Sequence, residues 1–559
     1  MPFRNALLRL LLRTLALLCL GGGLPVGVAG AGVTVVEGVV EEGEAQEPLL
    51  YTKATLPWAQ EVPVQTSPEG RTPSSATSPA PADSTVQRAP VLPPDPVDPS
   101  ISPPADETET HGDHGPTPPG WMALPFVLLL LMIATGPLFY PHHWHHHYPK
   151  YSIAFGLFVA AYYLFVLEAP LPILHAVQEY LSFIALVASL FIAASGIYVH
   201  LNARGTPLNN VLLLFLSALI ANLIATTGAA MLFIRSYMRL NKGRLRAYHI
   251  IFFIFITGNI GGALTPIGDP PLFLGFLRGV PFFWTITHLW YIWLPTILLL
   301  LAVFWVIDRR NTAEGAAPDP SQPLVTLQGQ KSLVWVALII GCVFLDPNVF
   351  AWVPNLPKLY HSPLGVREIL MFTLAALAYR TADRAALKAN EFTFAPIQEV
   401  GLLFLGIFAT MQPALQLISV FAANNKDLLT TGMFYWATGM LSAVLDNAPT
   451  YLNFLAAAMG KFGLDVNAPE QVRNFAIEGA INPETWHYLQ AISIGAVFFG
   501  AMTYIGNAPN FMIKAIAEAN GVDTPSFVVY LYRYALPILL PIFFVIWVVF
   551  FSGWVLRLT

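Results

Sequence analysis

Two aspartates stand where hydrophobicity argues against any charge. Asp269 lies in "GALTPIGDPPLF", Gly262 to Phe273, and Asp446 in "SAVLDNAPT", Ser442 to Thr450, both within long apolar runs. An acid at bilayer depth is costly and points by default to work with ions or protons. Its neighbours here are oxygen donors of the kind that hold a small hard cation. They are the hydroxyls of Ser217, Thr265, Ser442 and Thr503 and the carboxamides of Asn222, Asn447 and Asn507. Burial disfavours the charged form of a carboxylate, so hydrogen ions and sodium are expected to compete for the same oxygens. A plainer role, capping the N-terminus of a half-helix, also stays open for each acid.

Positioning such groups needs an interrupted helix, and the chain carries two. "GALTPIGDPPLF" is matched without a gap by "GAMTYIGNAPNF", Gly500 to Phe511. Upstream, "SALIAN" (Ser217 to Asn222) is matched by "SAVLDN" (Ser442 to Asn447) in the same order. The acids are placed in complement. One half has Asn222 in the upstream motif and Asp269 downstream; the other has Asp446 and Asn447 upstream and Asn507 downstream. Pro266, Pro270, Pro271 and Pro509 keep a helix from closing, and Gly268 and Gly506 permit turns that a Cβ resists. Non-helical chain survives at membrane depth only inside protein or against a watery cavity. A proline-kinked ordinary helix explains one such stretch but not the matched pair.

Composition sets the surrounding frame. Of 559 residues, 55% are hydrophobic and only 11% charged, against about a quarter charged in soluble domains. The net charge of −5 leaves no nucleic-acid footprint. Apolar segments fall near 121–140, 151–168, 178–200, 208–234, 248–280, 282–307, 331–349, 365–379, 396–421, 431–460, 488–513 and 527–557. Most reach the roughly 18 residues or more that cross a bilayer.

Basic residues sort the loops. Arg235, Arg239, Lys242, Arg244 and Arg246 mark one as cytoplasmic, Arg309 and Arg310 another, and Arg380, Arg384 and Lys388 a third. For the first of these to lie inside, segment 208–234 must be a hairpin entering and leaving on one face. The expected fold is an all-α polytopic membrane protein. It is an inverted-topology repeat, each half having five spanning helices and one re-entrant hairpin, with broken helices at the midplane. The halves are 121–310 and 331–557.

Arg4, Arg9 and Arg13 precede a short apolar run and small residues, which reads as a signal peptide over 1–31, with an uncleaved anchor helix as the alternative. Residues 32–118, rich in Pro, Ser, Thr and acids, read as a disordered external tether. Cys19 and Cys342 suggest neither a disulfide framework nor a thiolate metal site. "HHWHHH", His142 to His147, holds a spacing seen in membrane di-iron oxygenases, but the other histidines are scattered. It reads as a short loop, an interfacial or adventitiously metal-binding turn, and "HGDHG" in the tether, His111 to Gly115, as at most a weak binder of external metal, so no resident metal or cofactor is expected. Glu399 suits either a second proton carrier or an interfacial residue.

At these motifs the chain resembles the ion transporter superfamily, chiefly its NhaD-type sodium/proton antiporter, arsenite-pump and citrate-transporter branches. The resemblance covers roughly 121–557 and rests on "SAVLDNAPT", "TGNIGGALTPIGDPP" and "TYIGNAPNF". It implies a commonly dimeric transporter of the plasma (bacterial inner) membrane with no enzymatic activity. It also implies ion-handling roles for Ser442, Asp446, Asn447, Asn259 and Asp269. One departure is that Ala221-Asn222 stand where the antiporters carry acids. The expected function is sodium/proton antiport, with cation-coupled uptake of citrate or a similar carboxylate as the alternative. Removing residues 32–118 is expected to leave transport by the remaining chain intact, measured in correctly inserted protein; a large loss would give the tether a working role.

Overall fold

A computed structural model describes residues 117–553, apart from 314, 316, 348, 349, 351, 357, 358, 360 and 361. The expected leader, and all but the last two residues of the expected tether, lie outside the described residues. Among the described residues the regular structure is helical apart from one antiparallel pair of short strands, Tyr198–Leu201 and Val325–Gln328, in which Tyr198 faces Gln328.

Seven helices among the described residues are long and apolar enough to cross a membrane. That is fewer than the ten spans expected. Three of the expected spans are shorter helices, Gln330–Val343, Val366–Thr381 and Thr485–Phe499. Pro141–Phe165 is long enough at 25 residues but opens on a polar histidine run. That opening corrects the sequence reading of "HHWHHH" as a loop: it forms the first turns of a helix.

One of the seven is not a span at all. Pro207–Leu240 is a helical segment of 34 residues, yet Ile224 and Ala225 within it leave helical geometry. In an unbroken helix Asn210 and Asn241 would lie about 46 Å apart, at 1.5 Å per residue. Instead their side chains exchange two hydrogen bonds, of 2.9 and 2.8 Å. The segment therefore doubles back as a hairpin. The matched segment does the same: Thr431–Val444 and Asn447–Lys461 flank a break, and Lys461 Nζ donates to the Leu429 carbonyl at 2.7 Å. Arms of 14 and 15 residues fall short of the roughly 20 a span requires.

A clamp holds the base of the first hairpin. Asp308, fully buried at the end of Trp284–Asp308, accepts from Arg244 at 3.0 and 2.9 Å, Tyr248 at 2.6 Å and Asn210 at 2.9 Å. Arg235 pairs with Glu391. Two of the basic residues that marked this loop thus also have structural partners.

Ile250 to Ile256 are all fully buried, so this helix is apolar on every side because it is packed on every side. Replacing Asp308 with Ala strands a buried guanidinium and is expected to cost about 3–5 kcal/mol, while Asp308→Asn costs less. Unfolding of the purified chain in detergent measures both; an unchanged transition in Asp308→Ala would contradict the clamp.

Candidate functional site

Both "GA[LM]T" stretches interrupt helices as their sequence demands. The first runs from Ala247–Ile256 through a short 3-10 turn, Ile260–Leu264, to Pro270–Arg278. The second runs from Thr485–Phe499 through Gly500–Met502 to Ala508–Ala519. Asp269 and Asn507 occupy the same place in each, the residue before the outgoing half-helix.

The backbone groups freed by these breaks find protein partners. Trp293 Nε1 donates to the Ile260 carbonyl at 2.7 Å, Thr285 to Leu264 at 2.9 Å and Asn222 Nδ2 to Gly261 at 2.6 Å. Asn222 Oδ1 in turn accepts from the Leu264 N–H at 2.8 Å. In the second break Asn510 Nδ2 donates to the carbonyls of Gly500 and Thr503, and the Tyr530 hydroxyl donates to Ala501. Thr265 and Thr503 tie each break to its own hairpin, donating to the carbonyls of Asn222 at 2.5 Å and Ala443 at 2.6 Å.

Gly268 and Gly506 were expected to supply unusual turns. Neither has positive φ. Their need for glycine is close approach: a Cβ on either would run into the carbonyl of its motif partner, Gly262 or Gly500.

Asp269 is the point at which the two halves meet. It is fully buried. Its Oδ1 accepts from Thr226 at 2.9 Å and Asn507 Nδ2 at 3.0 Å, and its Oδ2 from Asn447 Nδ2 at 2.6 Å. One donor comes from its own half and two from the other. Asp446, next to Asn447 in the chain, caps the half-helix Asn447–Lys461 by accepting from the Ala448 N–H at 3.0 Å.

Two carbonyl oxygens nearby are buried without a hydrogen-bond partner among the described residues, Oδ1 of Asn447 and Oδ1 of Asn259. The network fixes which atom is oxygen in each. Asn447 must turn its NH2 toward the carboxylate of Asp269. Asn510 gives both its N–H groups to backbone carbonyls, so its Oδ1 accepts from Asn259 Nδ2 at 2.7 Å. Gly500 lies between them: a Cβ there would sit 3.0 Å from Asn259 Oδ1 and 3.6 Å from Asn447 Nδ2.

Of the residues singled out in the sequence, Asn447 and Asn507 both donate to Asp269, with Asp446 and Asn259 beside them. Ser217, Ser442, Thr265, Thr503 and Asn222 donate to backbone carbonyls instead. Thr226 and Asn510 were missed. The matching positions carry Tyr451 and Leu272, so the repeat comparison gave no signal for either.

Ala225, beside Thr226, has φ +64 and ψ 158, a conformation costing about 1–3 kcal/mol outside glycine.

The family described as putative citrate transport matches residues 116–551. An uncharacterized transporter of Mycobacterium tuberculosis is 22% identical over 336 residues, 57% of this chain and 72% of its own length. Sodium/proton antiporter 1 of Arabidopsis thaliana is 25% identical over 260 residues, 46% of this chain and 41% of its own. Sodium/proton antiporter 2 of the same plant is 26% identical over 276 residues, 48% of this chain and 60% of its own.

Gly506→Ala would place a methyl 2.7 Å from the Gly500 and Ser442 carbonyls, and is expected to destabilise by about 1–3 kcal/mol. Gly341, with nothing within 4 Å of its would-be Cβ, is the control and should tolerate Ala. Thermal unfolding in detergent compares them; equal effects would refute the close-approach account.

Proposed function

The chain belongs to the family described as putative citrate transport, a family of transporters and not of enzymes, and on that premise we propose that it exchanges sodium ions for protons. It is a multi-pass membrane protein and a secondary transporter of the ion transporter superfamily. In this reading it works in the bacterial inner membrane as a homodimer, with the N-terminal tether outside. The two halves lie in inverted orientation and expose the site to each side in turn.

The observation that carries the reading is the donor set around Asp269. Two acids, Asp269 and Asp446, lie beside two buried carbonyl oxygens, Asn259 Oδ1 and Asn447 Oδ1, that have no hydrogen-bond donor among the described residues. A buried polar oxygen left bare is costly, and a cation satisfies several at once. Two neighbouring carboxylates away from water hold their charge only beside a compensating cation or proton. Sodium and hydrogen ions are therefore alternative occupants of one place, and alternating access turns that competition into exchange. Asp446 is the acid freer to take part, since a single backbone N–H holds it.

The family's description favours a second reading, cation-coupled uptake of citrate or a related carboxylate. Charge weighs against it. The buried arginines Arg235, Arg244, Arg278 and Arg367 pair with Glu391, Asp308, Glu179, and Asp346 with Glu368. None of these acids is Asp269 or Asp446, so an incoming anion meets acids with no arginine among these to hold it. The names of the two plant relatives also agree with antiport.

In proteoliposomes with a preset pH gradient, sodium alone should dissipate the gradient, and Asp446→Asn should reduce the response to that of empty vesicles. Undiminished exchange in Asp446→Asn would reject its role, and a response only to citrate with sodium would favour the second reading. Gly500→Ala, which inserts a methyl between Asn259 and Asn447, should raise the sodium needed for half-maximal exchange about tenfold, equivalent to ~1.4 kcal/mol. An unchanged sodium dependence would exclude those two oxygens from the site.

A further inference from the structure

The histidine run that opens Pro141–Phe165 plays no part in the transport geometry, and its helical form gives it chemistry that a loop would lack. Trp144 is 1% exposed and packs against Gly136 so tightly that a Cβ there would meet its ring. This buried side chain sets the rotation of the helix. His142, His143, His145 and His146 are left exposed and His147 half-buried.

Residues four apart stand one above the other on a helix. Two such pairs lie side by side here. The rings of His142 and His146 have centroids 4.7 Å apart, and those of His143 and His147 are stacked at 4.4 Å.

The hydrogen bonds decide where the lone pairs point. His146 Nδ1 meets the His142 carbonyl at 3.0 Å, and His147 Nδ1 meets the His143 carbonyl at 3.1 Å. A carbonyl only accepts, so each Nδ1 carries the hydrogen and each Nε2 keeps its lone pair free of the backbone. This is the outer-shell arrangement that orients metal-ligating imidazoles. The pairs differ in one respect. His143 Nε2 is engaged by the Tyr151 hydroxyl at 2.8 Å, whereas neither ring nitrogen of His142 has a hydrogen bond among the described residues.

We propose that His142 and His146 chelate a divalent transition-metal ion at the protein surface, with His143 and His147 as a second, weaker pair. Paired imidazoles suit zinc, nickel or copper, whereas magnesium and calcium prefer carboxylate and carbonyl oxygen. No group of three or more His, Cys, Asp or Glu able to hold a metal exists among the described residues. Held by two imidazoles, the ion keeps water in its remaining positions and exchanges readily. Bridging positions four apart also braces the first helical turns. Pro149 lacks an N–H to give to the His145 carbonyl there.

The test uses the full-length chain, purified in detergent with its affinity tag removed. Zinc chloride is titrated calorimetrically, and nickel or copper chloride by quenching of tryptophan fluorescence. The expected result is saturable uptake that excess magnesium does not displace. H142A/H146A should abolish the stronger uptake, while H111A/H114A, which removes the tether histidines, leaves it unchanged. These substitutions alter exposed side chains, and a single symmetric peak on size exclusion confirms intact protein. Absence of saturable uptake, equal uptake by H142A/H146A, or loss of uptake in H111A/H114A would each overturn the proposal.

Discussion

A helix interrupted inside a membrane leaves carbonyls and N–H groups that lipid cannot satisfy, each costing several kcal/mol. The rest of the structure is organised around supplying them with partners. Around the first break the donors are Trp293, Thr285 and Asn222, and around the second Asn510 and Tyr530. Because Asn222 and Thr503 reach across to hairpin or break, satisfying the backbone also fixes each hairpin tip against its broken helix. The two glycine contacts, Gly262 with Gly268 and Gly500 with Gly506, draw the chain close enough for those bonds to form.

With the scaffold held this way, matched positions carry different tasks. Asn222 uses both ends of its carboxamide within its own half. Its counterpart Asn447 turns its NH2 to Asp269 in the other half and keeps a bare oxygen. Asp269 and Asn507 occupy equivalent places, yet one is the acceptor and the other its donor. The duplicated frame thus produces a single asymmetric centre rather than two copies of one site. In the proposed exchange, it is a cation that satisfies the oxygens left without a donor among the described residues.

Much of this arrangement was legible in the sequence because it depends on backbone chemistry. Proline and glycine at fixed offsets announce a break wherever they fall, and a basic loop after an apolar run exposed the first hairpin. Side chains that cross between elements leave no such trace. Thr226 and Asn510 contact the centre only once the halves are folded together, and their matching positions hold Tyr451 and Leu272. The arginines have partners of the same hidden kind. Arg244 looks like a loop charge in sequence, but Asp308, more than sixty residues on, draws it inside. The histidine run looked like a loop because its residues are polar, whereas the burial of Trp144 and a proline at the first helical position favour a helix.

The central claim is that Asp269 joins the two halves through Asn507 and Asn447. A double-mutant cycle on Asp269→Asn and Asn507→Ala, read as equilibrium unfolding in mixed micelles, tests it most directly. The account predicts a coupling energy of about 1–3 kcal/mol between the two sites. Effects that add to within roughly 0.3 kcal/mol would mean the two side chains do not meet, and would contradict it.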